Sequence, residues 1–333
     1  MSVSFSGAQL CTAYSKNNYG KTKNRTDSTS GLENSDSRQK PQTRARLKVF
    51  APLVLAAALL SGGCGGGGGS EDGLEDNPPG KTIVEEINGV NGIIDEPVSQ
   101  GHTGDCSLIT AVLSLASTEY GREIIKDSIE PHDDGTVTVH FKGVNKSYEI
   151  SQEEIEAHDT DDNLKDEYSN GDNDMLVIEL AAEKYDKEKN GRESLDGFYP
   201  LDLYKMMIPA ERLEASGLIR PFKPEDDNTA PYMKEEALDA LKYKAEHPER
   251  AVSFSINPDI IDNFCLFFKL IDGSKFFRPA GHHAYTVTDV SSDGIVTFLN
   301  TWDSAAAYQT KLEELKKTAA YVYYADIKPA ANE

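Results

Sequence analysis

Gln100-Gly-His-Thr-Gly-Asp-Cys106-Ser-Leu-Ile-Thr-Ala-Val-Leu-Ser-Leu-Ala116 is the stretch from which the rest of the chain can be read. After Cys106 the apolar residues Leu108, Ile109, Val112, Leu113, Leu115 and Ala116 recur at helical spacing. They cover most of the circumference, which predicts a buried helix over 106–118. Asp105 stands where an N-cap is expected. The glycines at 101 and 104 mark the preceding segment as a loop whose backbone can approach another group closely. A cysteine in the first turn of a helix faces the positive end of the helix dipole, which favours the thiolate. The charge of Asp105 opposes that effect, so its carboxylate is expected to point away from the sulfur.

Working outward, the front half reads mainly as helix and the back half mainly as strand. Residues 136–141 alternate, with Val137, Val139 and Phe141 on one side. Residues 175–185 return to helix with Leu176, Val177, Leu180, Ala181 and Ala182 inward, and 234–246 form a further helix. Strands are expected over 251–255, 283–290, 295–300 and 320–325. The pattern is α+β, with a helical lobe over 81–220 and a β-rich lobe over 221–330. The acidic segment 152–174 begins like a calcium loop at Asp159-Thr-Asp161-Asp-Asn163. It then places Leu164 where glycine is needed and Asn170 where a bidentate glutamate belongs, so a solvated loop is expected. Ca²⁺ remains an open cofactor, and none is required by the sequence.

The front end differs from the body. Residues 1–48 are a polar and basic leader, and 49–64 carry a short apolar core behind Arg44, Arg46 and Lys48. That run is too short to span a bilayer but fits a signal peptide. Leu60-Ser-Gly-Gly-Cys64 resembles a bacterial lipoprotein cleavage box, which implies lipidation of Cys64, export and anchoring to a membrane. Residues 65–80 are a Gly-, Ser- and acid-rich tether. Through Ser70 nine Lys/Arg face three Asp/Glu, a balance of +6, so the rest of the chain carries −28 of the net −22. Such an acidic body argues against nucleic-acid binding, which needs clustered cations. Of the four cysteines, Cys11 lies in the leader, Cys64 abuts the glycine tract and Cys265 sits in an apolar run as a core thiol. Cys106 alone has surroundings that suggest chemistry.

Hairpin parity selects a partner for it. Strands 283–290 and 295–302 meet around Ser291-Ser-Asp-Gly294. With Val290 opposite Ile295, Tyr285 falls opposite Asn300 and His283 opposite Trp302. His283 and Asn300 then share a face as diagonal neighbours, while His282 points to the other side. Trp302 shares that face and is placed to shield a His–Asn hydrogen bond from water.

Gln100-Gly-x-x-Gly-Asp-Cys106, Gly281-x-His283-Ala-Tyr-x-Val-Thr and Asn300-x-Trp302 together resemble the calpain family of papain-like cysteine proteases. The helix Leu176-Val-Ile-Glu-Leu-Ala-Ala-Glu-Lys-Tyr185 and Asp196-Gly-Phe198 echo the same family, and the likeness covers about residues 90–325. It implies a two-lobed papain-like core with Cys106 as nucleophile, His283 as base and acid, Asn300 orienting the ring and Gln100 donating to the oxyanion. Protein or peptide substrates follow from that. Ser107 stands where the family has tryptophan, His282 splits the Gly-His pair, and Thr301 and Asp303 replace proline and glycine. Two other classes fit the same residues: an acyl transferase of the transglutaminase or deamidase type, and a silent protease-fold binding lipoprotein. Asn300 as third residue favours the protease over the former, and the intact trio favours it over the latter.

Overall fold

Helix α1 spans Cys106–Ala116 as its apolar spacing predicts. It belongs to a computed structural model that describes residues 94, 96–160, 167–192, 195, 198–222, 232–256, 268–270, 276–277, 282–318 and 320–331. All of these fall in the unit Pro79–Glu333. The leader, the 49–64 run with Cys64, the 65–80 tether, Cys11, Cys265 and residues 161–163 lie outside the described residues.

After α1 come α2 (Glu119–Lys126) and a small antiparallel sheet of β1 (Ile129–Pro131), β2 (Val137–Phe141) and β3 (Lys146–Ile150). Val137, Val139 and Phe141 are fully buried, as the alternation requires. Next are α3 (Gln152–Thr160), α4 (Asn173–Asn190) and α5 (Pro200–Met207). The acidic segment is therefore not wholly a loop. Ser151 and Glu154 form a reciprocal capping box: Glu154 N–H donates to Ser151 Oγ at 3.2 Å, and Ser151 N–H to Glu154 Oε2 at 2.9 Å. That pairing starts α3 in spite of the charge around it.

The remaining elements are β4 (Leu213–Ile219), α6 (Glu235–Glu246), β5 (Arg250–Ile256), β6 (Phe268–Leu270), β7 (Phe276–Phe277), β8 (His283–Val290), β9 (Ile295–Asn300), β10 (Asp303–Lys311), α7 (Leu312–Lys316) and β11 (Ala320–Ile327). The strands make one eight-stranded sheet in the order β4-β11-β5-β8-β9-β10-β6-β7. Its strand β4 comes from before residue 220, so the front of the chain supplies one edge of the sheet.

Strand alternation divides the core. On β11, Tyr323, Ala325 and Ile327 join the buried residues of α1, α4 and α5, while Ala320 and Val322 turn to the opposite face with Ala237, Leu238 and Leu241 of α6. On β5, Ala251 faces the first group, and Val252, Phe254 and Ile256 face the second. The sheet is thus buried on both sides, with α1 lying over β5 and β8. This packing brings the first turn of α1 to the start of β8.

Candidate active site

The hairpin pairs Tyr285 with Asn300 as parity predicts, by a different route. The chain turns at Thr301 and Trp302, however, so that Asp303 of β10 pairs with Asn300, and Trp302 does not lie opposite His283 on a continuing strand. Tyr285 pairs with Asn300, but Val290 pairs with Val296 because the register shifts between Val287 and Asp289. A bulge absorbs one residue near the turn and leaves the site end in the expected register. His283 Nε2 lies 2.7 Å from Asn300 Oδ1. Trp302 N–H donates to the same oxygen at 3.1 Å, which fixes the orientation of the Asn300 amide. Nε2 is therefore the protonated nitrogen of the neutral ring, and the basic lone pair sits on Nδ1. The Trp302 indole stacks on the imidazole at a centroid distance of 4.0 Å, itself about half exposed, so it covers the His283–Asn300 bond from the solvent side.

His283 is 3 % exposed. Burial pushes its pKa down to about 4, against the opposing effect of the Asn300 hydrogen bond. The ring is thus held neutral by desolvation. His282 is exposed at a positive φ of 55° and donates its N–H to Ile256 O. Its carbonyl oxygen is what the Cys106 thiol meets, at 3.9 Å. Among the described residues no hydrogen bond joins Sγ to the imidazole. Cys106 is buried, and burial pushes its thiol pKa up; the Asp105 charge adds to this, while the Ala284 N–H and Ser107 act the other way.

Gln100 comes to the same place. Its N–H donates to Thr301 O at 2.8 Å, and its Oε1 accepts from Thr301 Oγ1 at 3.0 Å. The Gln100 amide protons face Thr103 O at 2.9 Å and Asp105 Oδ1 at 3.2 Å. Val98 and Ser304 exchange hydrogen bonds beside it, and Ser99 bridges Asn170. That bridge depends on Gly171 (φ 114°), where a Cβ would strike the Pro97 carbonyl. Two strips of backbone distant in sequence are so laced together around the first turn of α1.

Asp105 occupies the N-cap position of α1, yet its side chain makes no capping bond; its carbonyl accepts from Leu108 and Ile109 N–H instead. The carboxyl turns inward, where its Oδ1 accepts from the Gln100 amide at 3.2 Å; burial first, and then the Asp105 charge, raise the Glu179 carboxyl on α4. Both acids are fully buried.

All four residues expected in the site, Gln100, Cys106, His283 and Asn300, gather at this junction. Thr301, Glu179 and Ser169 were not anticipated. Thr301, fully buried, has its hydroxyl 3.0 Å from Gln100 and 3.3 Å from His283 Nε2, and so links the two sides. Glu179 had a visible signal, since it is the lone charge within Met175-Leu-Val-Ile-Glu-Leu-Ala-Ala182. Among the described residues no group of three or more His, Cys, Asp or Glu is arranged to hold a metal ion. No protein-family model and no curated protein matches this chain.

Proposed function

We propose that this chain is a cysteine endopeptidase with a two-lobed papain-like core similar to that of calpains, acting through Cys106, His283 and Asn300. The observation that carries the reading is the 2.7 Å His283–Asn300 hydrogen bond beneath Trp302, at the strand whose preceding carbonyl touches the Cys106 sulfur. A buried thiol at a helix start, a neutral imidazole with its lone pair on Nδ1, and an amide that fixes the ring are the parts of an acyl-transfer site.

In the proposed reaction the thiol proton passes to His283 Nδ1 as Sγ bonds to the substrate carbonyl carbon. The carbonyl π pair moves to oxygen, where the Cys106 N–H and the Gln100 amide are the donors. Gln100 must then give up one of its resting contacts, and the 3.2 Å bond to Asp105 is the longer. The C–N bond breaks as the imidazolium returns its proton to the leaving amine. Water, deprotonated by the same nitrogen, adds to the thioester carbon; the C–S bond then breaks, the acid leaves, and the imidazolium returns its proton to Sγ. Since the resting thiol is pushed up and the imidazole down, the pair is neutral before substrate arrives.

The leader supports a second part of the proposal: export and anchoring through a lipidated Cys64, with protein or peptide substrates met outside the cytoplasm. Among the described residues no helix is long and apolar enough to cross a membrane.

The test is to expose the full-length chain to an epoxysuccinyl thiol-protease probe and to casein, with calcium or with chelator, beside Cys106→Ala. The expected result is one adduct at Cys106 and casein cleavage that the variant lacks. Labelling elsewhere, or cleavage that survives in Cys106→Ala, would sink the reading. Anchoring predicts that Cys64→Ser moves the chain from the membrane to the soluble fraction; unchanged partition would remove it.

A further inference from the structure

Gln100 is held by the end of the hairpin and not by helix α1 alone. Val98 N–H donates to Ser304 Oγ at 2.7 Å, and Ser304 N–H returns a bond to Val98 O at 3.0 Å. Ser99 Oγ donates to Trp302 O at 2.9 Å, and Gln100 N–H donates to Thr301 O at 2.8 Å. Residues 98–100 therefore run beside 301–304, and the backbone of Gln100 is registered against the turn that follows Asn300.

The side chain of Gln100 is held at the same residue. Its amide nitrogen faces two oxygens, Thr103 O at 2.9 Å and Asp105 Oδ1 at 3.2 Å, so Oε1 is the atom turned to Thr301. A hydroxyl offers one proton and two lone pairs. The Thr301 proton therefore goes to Gln100 Oε1, at 3.0 Å. Its lone pairs face His283 Nε2–H at 3.3 Å, a proton whose nearer acceptor is Asn300 Oδ1 at 2.7 Å. Thr301 is fully buried, so bulk water does not compete for either contact.

We propose that Thr301 is a positioning residue that couples the base to the oxyanion donor. The coupling rests on the protease reading; the anchoring of Gln100 does not. When an oxyanion forms, only the amide nitrogen of Gln100 changes partner, and the bond from Thr301 to Oε1 persists. With Oε1 and the backbone N–H both fixed on Thr301, the amide cannot flip, and its nitrogen stays beside the first turn of α1. A second effect follows from the direction of the bonds. Once Nδ1 has taken the thiol proton, the ring is positive and Nε2–H is a stronger donor. The Thr301 hydroxyl passes that polarisation to Oε1, and the Gln100 N–H groups strengthen as negative charge develops on the substrate oxygen. No proton moves along the relay.

The test measures kcat and KM of the full-length chain on fluorescein-labelled casein. Thr301→Val removes the hydroxyl and keeps the branched shape. Loss of an oxyanion donor costs on the order of a hundredfold or more, and loss of its anchor should cost part of that, about tenfold in kcat with KM little changed. Thr301→Ser restores a hydroxyl and should recover most of the rate. A residue that only packed would show the reverse order, because valine fills the site better than serine. In a Gln100→Ala background Thr301→Val should cost about twofold or less, since the anchor then has nothing to hold. Full activity in Thr301→Val, no recovery in Thr301→Ser, or the whole tenfold loss without Gln100 would each overturn the proposal while leaving the protease reading intact. Should Thr301→Val fail to fold, Thr301→Ala takes its place in both comparisons. If the wild type cleaves nothing, the protease reading fails and the coupling falls with it. The anchor is then judged by nuclear magnetic resonance of the nitrogen-15-labelled chain. The Gln100 side-chain amide protons, assigned by their loss in Gln100→Ala, should exchange with water faster in Thr301→Val, and an unchanged rate would overturn the anchor as well.

Discussion

The two sides of the candidate site solve different problems. On the hairpin side, His283 is held by neutral groups: the Asn300 amide, the Thr301 hydroxyl and the Trp302 ring. On the helix side, Cys106 stands before two fully buried acids, Asp105 and Glu179, and burial raises its thiol. The hairpin side is rigid by register and complete without the helix. The helix side depends on loop segments laced across the fold through Thr301, Ser99 and Ser304. Desolvation dominates both, lowering the imidazole and raising the thiol. On the proposed protease reading, geometry is supplied in advance, while ionisation is left to the moment of attack.

His283→Gln breaks the hairpin side most severely. Loss of a general base costs on the order of 10³-fold in rate, and casein turnover by the variant should fall by about that factor with Cys106 still present. The same variant sharpens the electrostatic half of the comparison. His283 is pushed from 6.5 to about 4 in the folded chain. A base whose folded pKa is lowered binds fewer protons folded than unfolded between those values, so stability falls as pH drops from 6.5 toward 4. For a 3 % exposed ring that gap corresponds to roughly 3 kcal/mol. Urea midpoints compared at pH 7 and pH 4.5 should show the wild type losing more than His283→Gln; equal losses would mean that the ring is not desolvated as described.

The contrast also explains what could be read in advance. Helix α1, the alternation of β2 and the pairing of Tyr285 with Asn300 follow from periods of 3.6 and 2, which one sequence displays directly. The bulge before Asp289 was invisible, because a bulge is a compromise between two strands and not a property of either. Strand β4, reading Leu-Glu-Ala-Ser-Gly-Leu-Ile, has no clear alternation and is a strand because β11 offers it an edge. The Ser151–Glu154 capping box was legible at residue level, but the acidic composition around it pointed to a loop. At the site, Gln100, Cys106, His283 and Asn300 announce themselves by chemistry and order. Asp105 does not: its N-cap position is clear, but its turn toward Glu179 needs α4 brought alongside α1 by tertiary packing. The same holds for Thr301, whose two partners lie on segments about 200 and 18 residues away.

Trp302→Ala tests the subtlest feature of the hairpin side, the cover over the His283–Asn300 bond. The indole is about half exposed, so little of its burial contributes to folding, and the chain should remain folded. Removing the stack forfeits about 0.5–1 kcal/mol of ring contact, and water can then compete for Asn300 Oδ1. A loss of that size in the transition state corresponds to roughly a threefold drop in kcat/KM. The imidazole also becomes better solvated, which relieves the effect that lowers its pKa. The acid limb of the pH–rate profile should therefore move up from about 4 toward the ordinary histidine value, on top of the threefold drop at pH 7. A cover that merely packed would lower the rate without moving the limb. One that controls the ring's solvation moves both, and in that case the neutrality of His283 at rest is set by an exposed residue on the cleft side as much as by the strands beneath it.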